Sequence, residues 1–207
     1  VISDQSIGIR YEGAELKSHT HYEVQLTLWA NDDYATMTSY FETAYLDISE
    51  WQAKWISTDE KPSDGLPVFA KSIKLAKPVE TARLYATAKG IYDVFINKEK
   101  IHDDYLRPGW TNYKKRHQYQ SYNVTEFMKP DILIELTVAP GWYIGQYGGD
   151  GLSNHYGKHA AATLELHILY EDGSKEIIRT NEDWKWRKSE IISSEIYHGE
   201  TVDFTRS

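Results

Sequence analysis

The stretch DILIELTVAPGWYIGQYGGDGLSNHYG, residues 131–157, holds the strongest evidence for the fold of this chain. Its first nine residues are a short run of mostly branched apolar side chains, which predicts a buried β-strand. Residues 138–157 then contain six glycines, one Trp, three Tyr and one each of Asp, Asn and His. Such a segment is either a binding loop or an elaborate turn that packs against another surface.

Apolar segments of strand length recur from about Trp51 onward. VFAKSIKL, TARLYATAKG and IYDVFINKEKI read as strands, and Asn97 in the last of them suits a left-handed position in a tight hairpin. HAAATLELHILYEDGSKEIIRT predicts a second hairpin that turns at residues 171–173. Because no long helical period interrupts this pattern, we expect an all-β fold, an antiparallel β-sandwich.

Residues 1–46 are predicted to form a separate region of three short strands, in SIGIRY, YEVQLTLWA and MTSYFETAYL. A complete two-sheet sandwich needs roughly seven strands in about 100 residues. We therefore expect the C-terminal part of a sandwich whose opening strands are missing or lie before Val1.

Residues 47–56 are predicted to join this region to the main sandwich of residues 57–207. Asp47 or Ser49 is placed to cap a short helical turn. The nearby indoles of Trp51 and Trp55 are expected to fill the joint between the two domains. The last segment, SSEIYHGETVDFTRS, is expected to be a polar tail.

The composition excludes several classes of protein. The chain has 207 residues and a net charge of −8, so it lacks the positive surface that binds nucleic acid or an anionic membrane. No apolar run approaches the length of a membrane span. The absence of cysteine excludes disulfides, thiol catalysis and zinc–thiolate sites, and favours the cytoplasm, as does the lack of a signal peptide. A start at Val1 instead of Met indicates an internal fragment of a longer protein.

Catalytic motifs are weak in this sequence. It has no phosphate-binding loop, no dinucleotide fingerprint, no HExxH and no GxSxG. A glycosidase needs two carboxylates on opposite sides of the scissile bond, and the candidates are Asp103, Asp104, Asp150 and Glu200. The adjacent Asp103 and Asp104 form either a solvated turn or a site for a hard cation such as Ca²⁺, which prefers oxygen ligands.

Two segments share one local pattern. RPGWTNY, residues 107–113, and APGWYIGQY, residues 139–147, each place a Trp directly after a Pro-Gly bend. An indole in this position can stack on the C–H face of a sugar ring. It can equally cover one end of the sandwich or dock on a neighbouring domain, since large rings are mostly buried.

These motifs resemble a known family. WQAKWI, ARLYATAKGIYDVFIN, LRPGWTNYKKRHQYQSYNVT, GWYIG, LELHILYEDG and SSEIYHGETVDF occur in the order found in the N-terminal β-sandwich region of bacterial α-L-rhamnosidases. The match runs from about Trp51 to Phe204. The resemblance implies a jelly-roll-like sandwich of the carbohydrate-binding-module type, preceded by a partial fibronectin-III-like sandwich.

The same resemblance implies a function for the parent protein. It would hydrolyse terminal α-L-rhamnosyl groups from glycosides with inversion, using a general acid and a general base. Both belong to an (α/α) barrel C-terminal to this region, so we expect no catalytic residue in this chain. The expected partners are that barrel, within the same polypeptide, and rhamnose-containing glycosides.

For the chain itself the resemblance leaves three hypotheses: a scaffold that docks on the barrel and shapes its pocket, an autonomous carbohydrate-binding module for L-rhamnose, or a catalytic domain. The residues expected to bind sugar or to dock are Trp110, Tyr113, Trp142, Tyr143, Tyr147, Asp150, Asn154 and His155.

Related modules in some rhamnosidases bind L-rhamnose through calcium, which makes Asp103 and Asp104 the candidate calcium ligands, with Asn97 a weaker one. The sequence departs from the family pattern at two places. Asn97-Lys98 replaces the usual Asn-Gly, which is expected to alter that turn. Residues 138–140, Val-Ala-Pro, replace the usual Leu-Gly before GWY and are expected to reshape the entry to the loop.

Overall fold

The computed structural model describes residues 2–5, 7–59, 65–148 and 151–206. The chain divides into two compact units, residues 1–51 and 52–207, and each is described here by itself. The predicted domain bounds at residues 46 and 57 stay a prediction.

The first unit contains one antiparallel hairpin, formed by β1 (His21–Ala30) and β2 (Asp33–Glu42). The prediction of a third strand in SIGIRY is wrong for the residues that the structure describes, because residues 7–11 form no strand there. Alternation of side chains marks a strand only where a neighbouring strand supplies hydrogen bonds. The predicted cap is confirmed at Asp47, whose carboxylate accepts the N–H of Ser49 at 2.8 Å before a 3₁₀ turn, Ile48–Glu50.

The second unit is a sandwich of two five-stranded antiparallel sheets, which confirms the predicted fold class. Sheet I has the order β11-β10-β5-β8, with β3 also paired to β10, and sheet II has the order β12-β4-β9-β6-β7. The strands of sheet I are β3 (Ile56–Ser57), β5 (Val79–Lys89), β8 (Gln120–Asn123), β10 (Ala161–Tyr170) and β11 (Lys175–Arg179). Those of sheet II are β4 (Pro67–Lys74), β6 (Ile91–Ile96), β7 (Glu99–Lys100), β9 (Asp131–Ala139) and β12 (Lys185–Lys188).

The core lies between the two sheets because their inner faces carry the apolar residues. In β9 every second residue is buried and packs against the inner face of sheet I, as the sequence of this strand predicts. Burial of each such branched side chain contributes about 1.5–3 kcal/mol. The buried residues of β9 are Ile132, Ile134, Leu136 and Val138.

Both predicted hairpin turns are present. Asn97 and Lys98 take φ values of 52° and 69°, so this turn uses the left-handed region twice although a lysine occupies its second position. The Asn97 side-chain oxygen also accepts the N–H of Leu133 at 2.8 Å, which ties the turn to β9. The second turn, after β10, has Gly173 at φ 80°.

The prediction that the last segment is a polar tail is wrong. Its residues form a further hairpin of β13 (Ile191–Glu195) and β14 (Gly199–Val202). The backbone of β13 accepts hydrogen bonds from Gly65 at 3.0 Å and from Leu66 at 2.9 Å. The polar composition of this segment does not indicate a strand, because the strand is held by main-chain hydrogen bonds, which residues of any type can form.

The remaining regular segments are short. They are α1 (Gly141–Ile144) and the 3₁₀ turns Thr125–Phe127 and Phe204–Arg206. No helix within the described ranges has the length and apolar character needed to cross a membrane.

Candidate functional site

The two Pro-Gly-Trp segments, separated by about 30 residues in the chain, meet through their aromatic side chains. Tyr113 packs edge-on against Tyr143 with ring centroids 5.5 Å apart, and Trp110 packs edge-on against Tyr147 at 5.6 Å. His155 stacks on Tyr147 at 5.1 Å. We call this set the ring cluster; its members are Trp110, Tyr113, His117, Tyr143, Tyr147, His155 and Tyr156.

The first segment follows β7 and is held by its own backbone. The bond between Arg107 and Pro108 is cis, and Gly109 N–H donates to Leu106 O at 2.9 Å. The Tyr113 hydroxyl donates to the carbonyl of Gly109 at 2.8 Å, which closes the loop on itself. Burial raises the pKa of Tyr113 to about 12, so this hydroxyl stays a neutral donor.

The second segment leaves β9 through α1. Gly141 has φ 52°, and a Cβ at this position would lie 2.9 Å from the backbone nitrogen of Ile91. Only glycine meets both conditions, the left-handed backbone and the close approach to β6. Farther along, Asn154 N–H donates to the carbonyl of Ile144 at 2.6 Å, so the loop folds back on the helical turn.

Tyr143 occupies the space beside the last glycine of the loop. A Cβ on Gly157 would lie 2.3 Å from the Tyr143 ring. Tyr143 also contacts Tyr156 with nearly parallel rings at 6.3 Å. The glycine at position 157 therefore makes room for a ring contact within the loop.

His117 lies at the buried base of the ring cluster. Its ring contacts Tyr113 at 5.2 Å, Tyr143 at 5.9 Å and Trp55 at 5.6 Å. Burial lowers the pKa of His117, and the charge of Lys89 adds to this effect. Sequence reasoning missed His117 and Tyr156. In the sequence, His117 lies close to the predicted residue Tyr113, and Tyr156 directly follows the predicted residue His155, so their positions could have identified them.

The ring cluster has a buried base and an exposed rim. Tyr113 is 6% exposed, whereas Trp110 is 54% exposed. Asn154 and His155 also lie at the surface, and Tyr143 and Tyr147 are half-buried. The loop is thus partly exposed, as expected for a segment that approaches another surface.

One of the predicted residues, Trp142, stands apart from this arrangement. Trp142 is half-buried, and among the described residues no ring pair of the cluster includes it. Asp150 lies outside the described residues. The remaining six predicted residues are brought to the same two loops.

The candidate calcium ligands have other contacts. An Asp104 carboxylate oxygen lies 3.0 Å from the Arg107 guanidinium, whose hydrogen bond lowers the pKa of Asp104. The side-chain oxygen of Asn97 accepts the N–H of Leu133. Within the described part of the chain, no group of three or more His, Asp or Glu is arranged to hold a metal ion. Calcium binding at Asp103 and Asp104 stays a prediction.

Two family models match this chain. The model of the alpha-L-rhamnosidase N-terminal domain matches residues 77–207, and that of the Rha78A-like N-terminal immunoglobulin domain matches residues 1–47. The chain is 36% identical to an alpha-L-rhamnosidase of Formosa agariphila, over 97% of this chain and 23% of that protein. It spans 18–25% of the length of the curated relatives that it matches.

Solved structures show the same fold. The crystal structure of native α-L-rhamnosidase from Aspergillus terreus matches with a TM-score of 0.83 and 33% identity, over 92% of this chain and 23% of that one. The α-L-rhamnosidase of Dictyoglomus thermophilum matches with a TM-score of 0.82 and 30% identity, over 95% of this chain and 24% of that one.

Proposed function

The chain belongs to the α-L-rhamnosidase N-terminal domain family, and we propose that it is a non-catalytic scaffold that docks through its ring cluster on the catalytic barrel of the same polypeptide. The parent protein hydrolyses terminal α-L-rhamnosyl groups from glycosides, and this domain helps to shape the pocket. The observation that carries the proposal is the exposed indole of Trp110, which packs edge-on against the half-buried ring of Tyr147.

A rigid aromatic rim is the arrangement that protein interfaces favour. Interface hot spots are enriched in Trp and Tyr, and their strength grows when the side chain is held in place before binding. Trp110 packs against Tyr147, which in turn stacks on His155. Binding through these rings therefore requires little further ordering of the loop.

The carboxylates beside the loops support a non-catalytic role. A general acid needs a raised pKa, whereas the pKa of Asp104 is lowered by Arg107. Glu195 accepts two backbone N–H groups, from Gln146 at 3.2 Å and Ile196 at 2.9 Å. Both carboxylates serve the structure of the loops.

A second candidate function is a sugar-binding module in which L-rhamnose stacks on Trp110. The favouring observation is the same exposed indole, since an indole face can cover the apolar face of a pyranose. The two functions predict different results for the isolated chain. Only a sugar-binding module would bind L-rhamnose, and measurements with Ca²⁺ and with a chelator cover both the calcium-dependent and the calcium-independent case.

The test compares Trp110→Ala in the full-length polypeptide and in the 207-residue chain, with Trp29→Ala as the control because Trp29 is also exposed, at 66%. Docking predicts that Trp110→Ala lowers the unfolding free energy by about 2 kcal/mol more in the full-length protein than in the 207-residue chain, where only the contact of Trp110 with Tyr147 is lost. An equal effect in both proteins would reject docking. Calorimetric heat from L-rhamnose that Trp110→Ala abolishes would support the binding module instead.

A further inference from the structure

A separate concave site lies at the open edge between the two sheets. It encloses about 240 Å³, and its walls include three tryptophans and four polar side chains. On one side runs β12, where Trp186 pairs directly with Phe69 of β4. On the other side lies the segment that enters β3. We call this site the tryptophan cleft; the residues used below are Lys54, Trp55, Asn181, Glu182, Trp184 and Trp186.

Two of the three indoles are fixed by other contacts. Trp184 is 7% exposed, and its ring N–H donates to the carbonyl of Arg179 at 3.0 Å. The ammonium of Lys89 lies 4.7 Å from the centre of the Trp55 ring. The cleft therefore has its shape before any ligand enters, which reduces the entropy lost on binding.

The third indole, Trp186, is available to a ligand. It is 40% exposed on an edge strand. Phe69, opposite it, is 2% exposed and gives the cleft an apolar lining. An exposed indole beside a buried apolar surface favours a ligand with one apolar face.

The polar side chains of the cleft carry no net charge. The Lys54 ammonium lies 2.6 Å from a carboxylate oxygen of Glu182, so the two charges compensate each other. The side-chain oxygen of Asn181 accepts the N–H of Asp183 at 3.1 Å, which orients its amide. An anionic or cationic ligand would have to disrupt the Lys54–Glu182 pair, whereas hydroxyl groups can donate to and accept from these side chains.

We propose that the tryptophan cleft binds one neutral pyranose unit, with an apolar face of the sugar on Trp186 and its hydroxyls toward Asn181, Glu182 and Lys54. The volume supports a single ring, since pockets for drug-sized ligands begin at about 300 Å³. The site does not depend on the docking role proposed for the ring cluster. It gives the domain a place, lined by no residue of the ring cluster, to hold a sugar unit of a glycoside.

The experiment titrates the 207-residue chain with the methyl glycosides of L-rhamnose, D-glucose and D-galactose, followed by tryptophan fluorescence and by saturation-transfer NMR. A ligand of this size is expected to bind with a Kd in the millimolar range. Trp186→Ala should weaken binding of the preferred sugar about tenfold, and Trp186→Tyr should retain most of it. Trp29→Ala, an exposed indole of the first unit, is the control and should leave the Kd unchanged.

Trp186 is the better position for the test than Trp55, because Trp55 also contacts His117 of the ring cluster. No saturable binding by any of the three glycosides would overturn the proposal. So would binding that Trp186→Ala leaves unchanged, because that result places the sugar elsewhere. The docking test on Trp110 can fail or succeed independently of either result.

Discussion

The carboxylate of Glu195 accepts the backbone N–H of Gln146 at 3.2 Å. This bond joins β13 to the loop that carries Tyr147 and His155. Residues that look like a polar tail in the sequence therefore support the candidate site.

Glu195→Ala should loosen that loop. The substitution removes the acceptor for Gln146 N–H and for Ile196 N–H, so amides 145–148 and 151–157 lose part of their support. We expect their hydrogen exchange to accelerate about tenfold, while the amides of β9 keep their rates. Equal acceleration in the loop and in β9 would contradict this local role.

Two glycines with positive φ should respond differently to alanine. Gly173, with φ 80°, has open space where a Cβ would lie, so Gly173→Ala should cost only the backbone strain of about 1–2 kcal/mol. Gly141→Ala adds a contact of 2.9 Å with the Ile91 backbone nitrogen and should cost at least twice as much. Urea denaturation of both variants measures the difference, and similar losses would argue against the close approach of α1 to β6.

Glu165 is the buried anchor of the segment that precedes β3. Its side chain accepts the N–H of Gln52 at 2.7 Å and of Ala53 at 2.8 Å, and it lies 3.2 Å from Arg179 Nε. Glu165→Gln removes the charge and should lower the unfolding free energy by about 3 kcal/mol.

The control for Glu165→Gln is Glu80→Gln, an exposed glutamate on β5. It should change the unfolding free energy by less than about 0.5 kcal/mol. If the two variants were equally stable, the contacts of Glu165 would contribute no more than those of a surface carboxylate.

Acid should destabilise the second unit in part through His117. Because burial lowers the pKa of His117 below its ordinary value of 6.5, the unfolded chain takes up a proton at a higher pH than the folded one. The stabilising contribution is present above pH 6.5 and is lost as the pH falls through the folded pKa. His102 contributes in the same direction, since burial lowers its pKa as well.

His117→Gln should therefore flatten the dependence of the unfolding free energy on pH as the pH falls from 6.5 through the lowered pKa of folded His117. Denaturation of the variant and of the unsubstituted chain at a series of pH values measures both slopes. A steeper pH dependence for His117→Gln would contradict the lowered pKa assigned to His117.

Much of the fold follows from local patterns. The alternation in β9 places Ile134 and Leu136 on one buried face, and the turn residues Asn97 and Gly173 take the left-handed conformations expected of them. These features depend on neighbours in the chain, so a single sequence contains the information. The β13–β14 hairpin escaped prediction because its segment is rich in polar side chains, and main-chain hydrogen bonds pair its strands and hold β13 to residues 65 and 66.

Sequence alone therefore determined the all-β class, the family and the two ring-bearing loops. Periodicity, turn chemistry and ordered motifs depend on residues that lie close together in the chain. Only the tertiary structure decided which rings meet. Trp110 reaches Tyr147, and Trp55 shares a cleft with Trp186, because the sheets bring together segments that lie far apart in the chain. That pairing is set by strand order and register, which the local pattern leaves open.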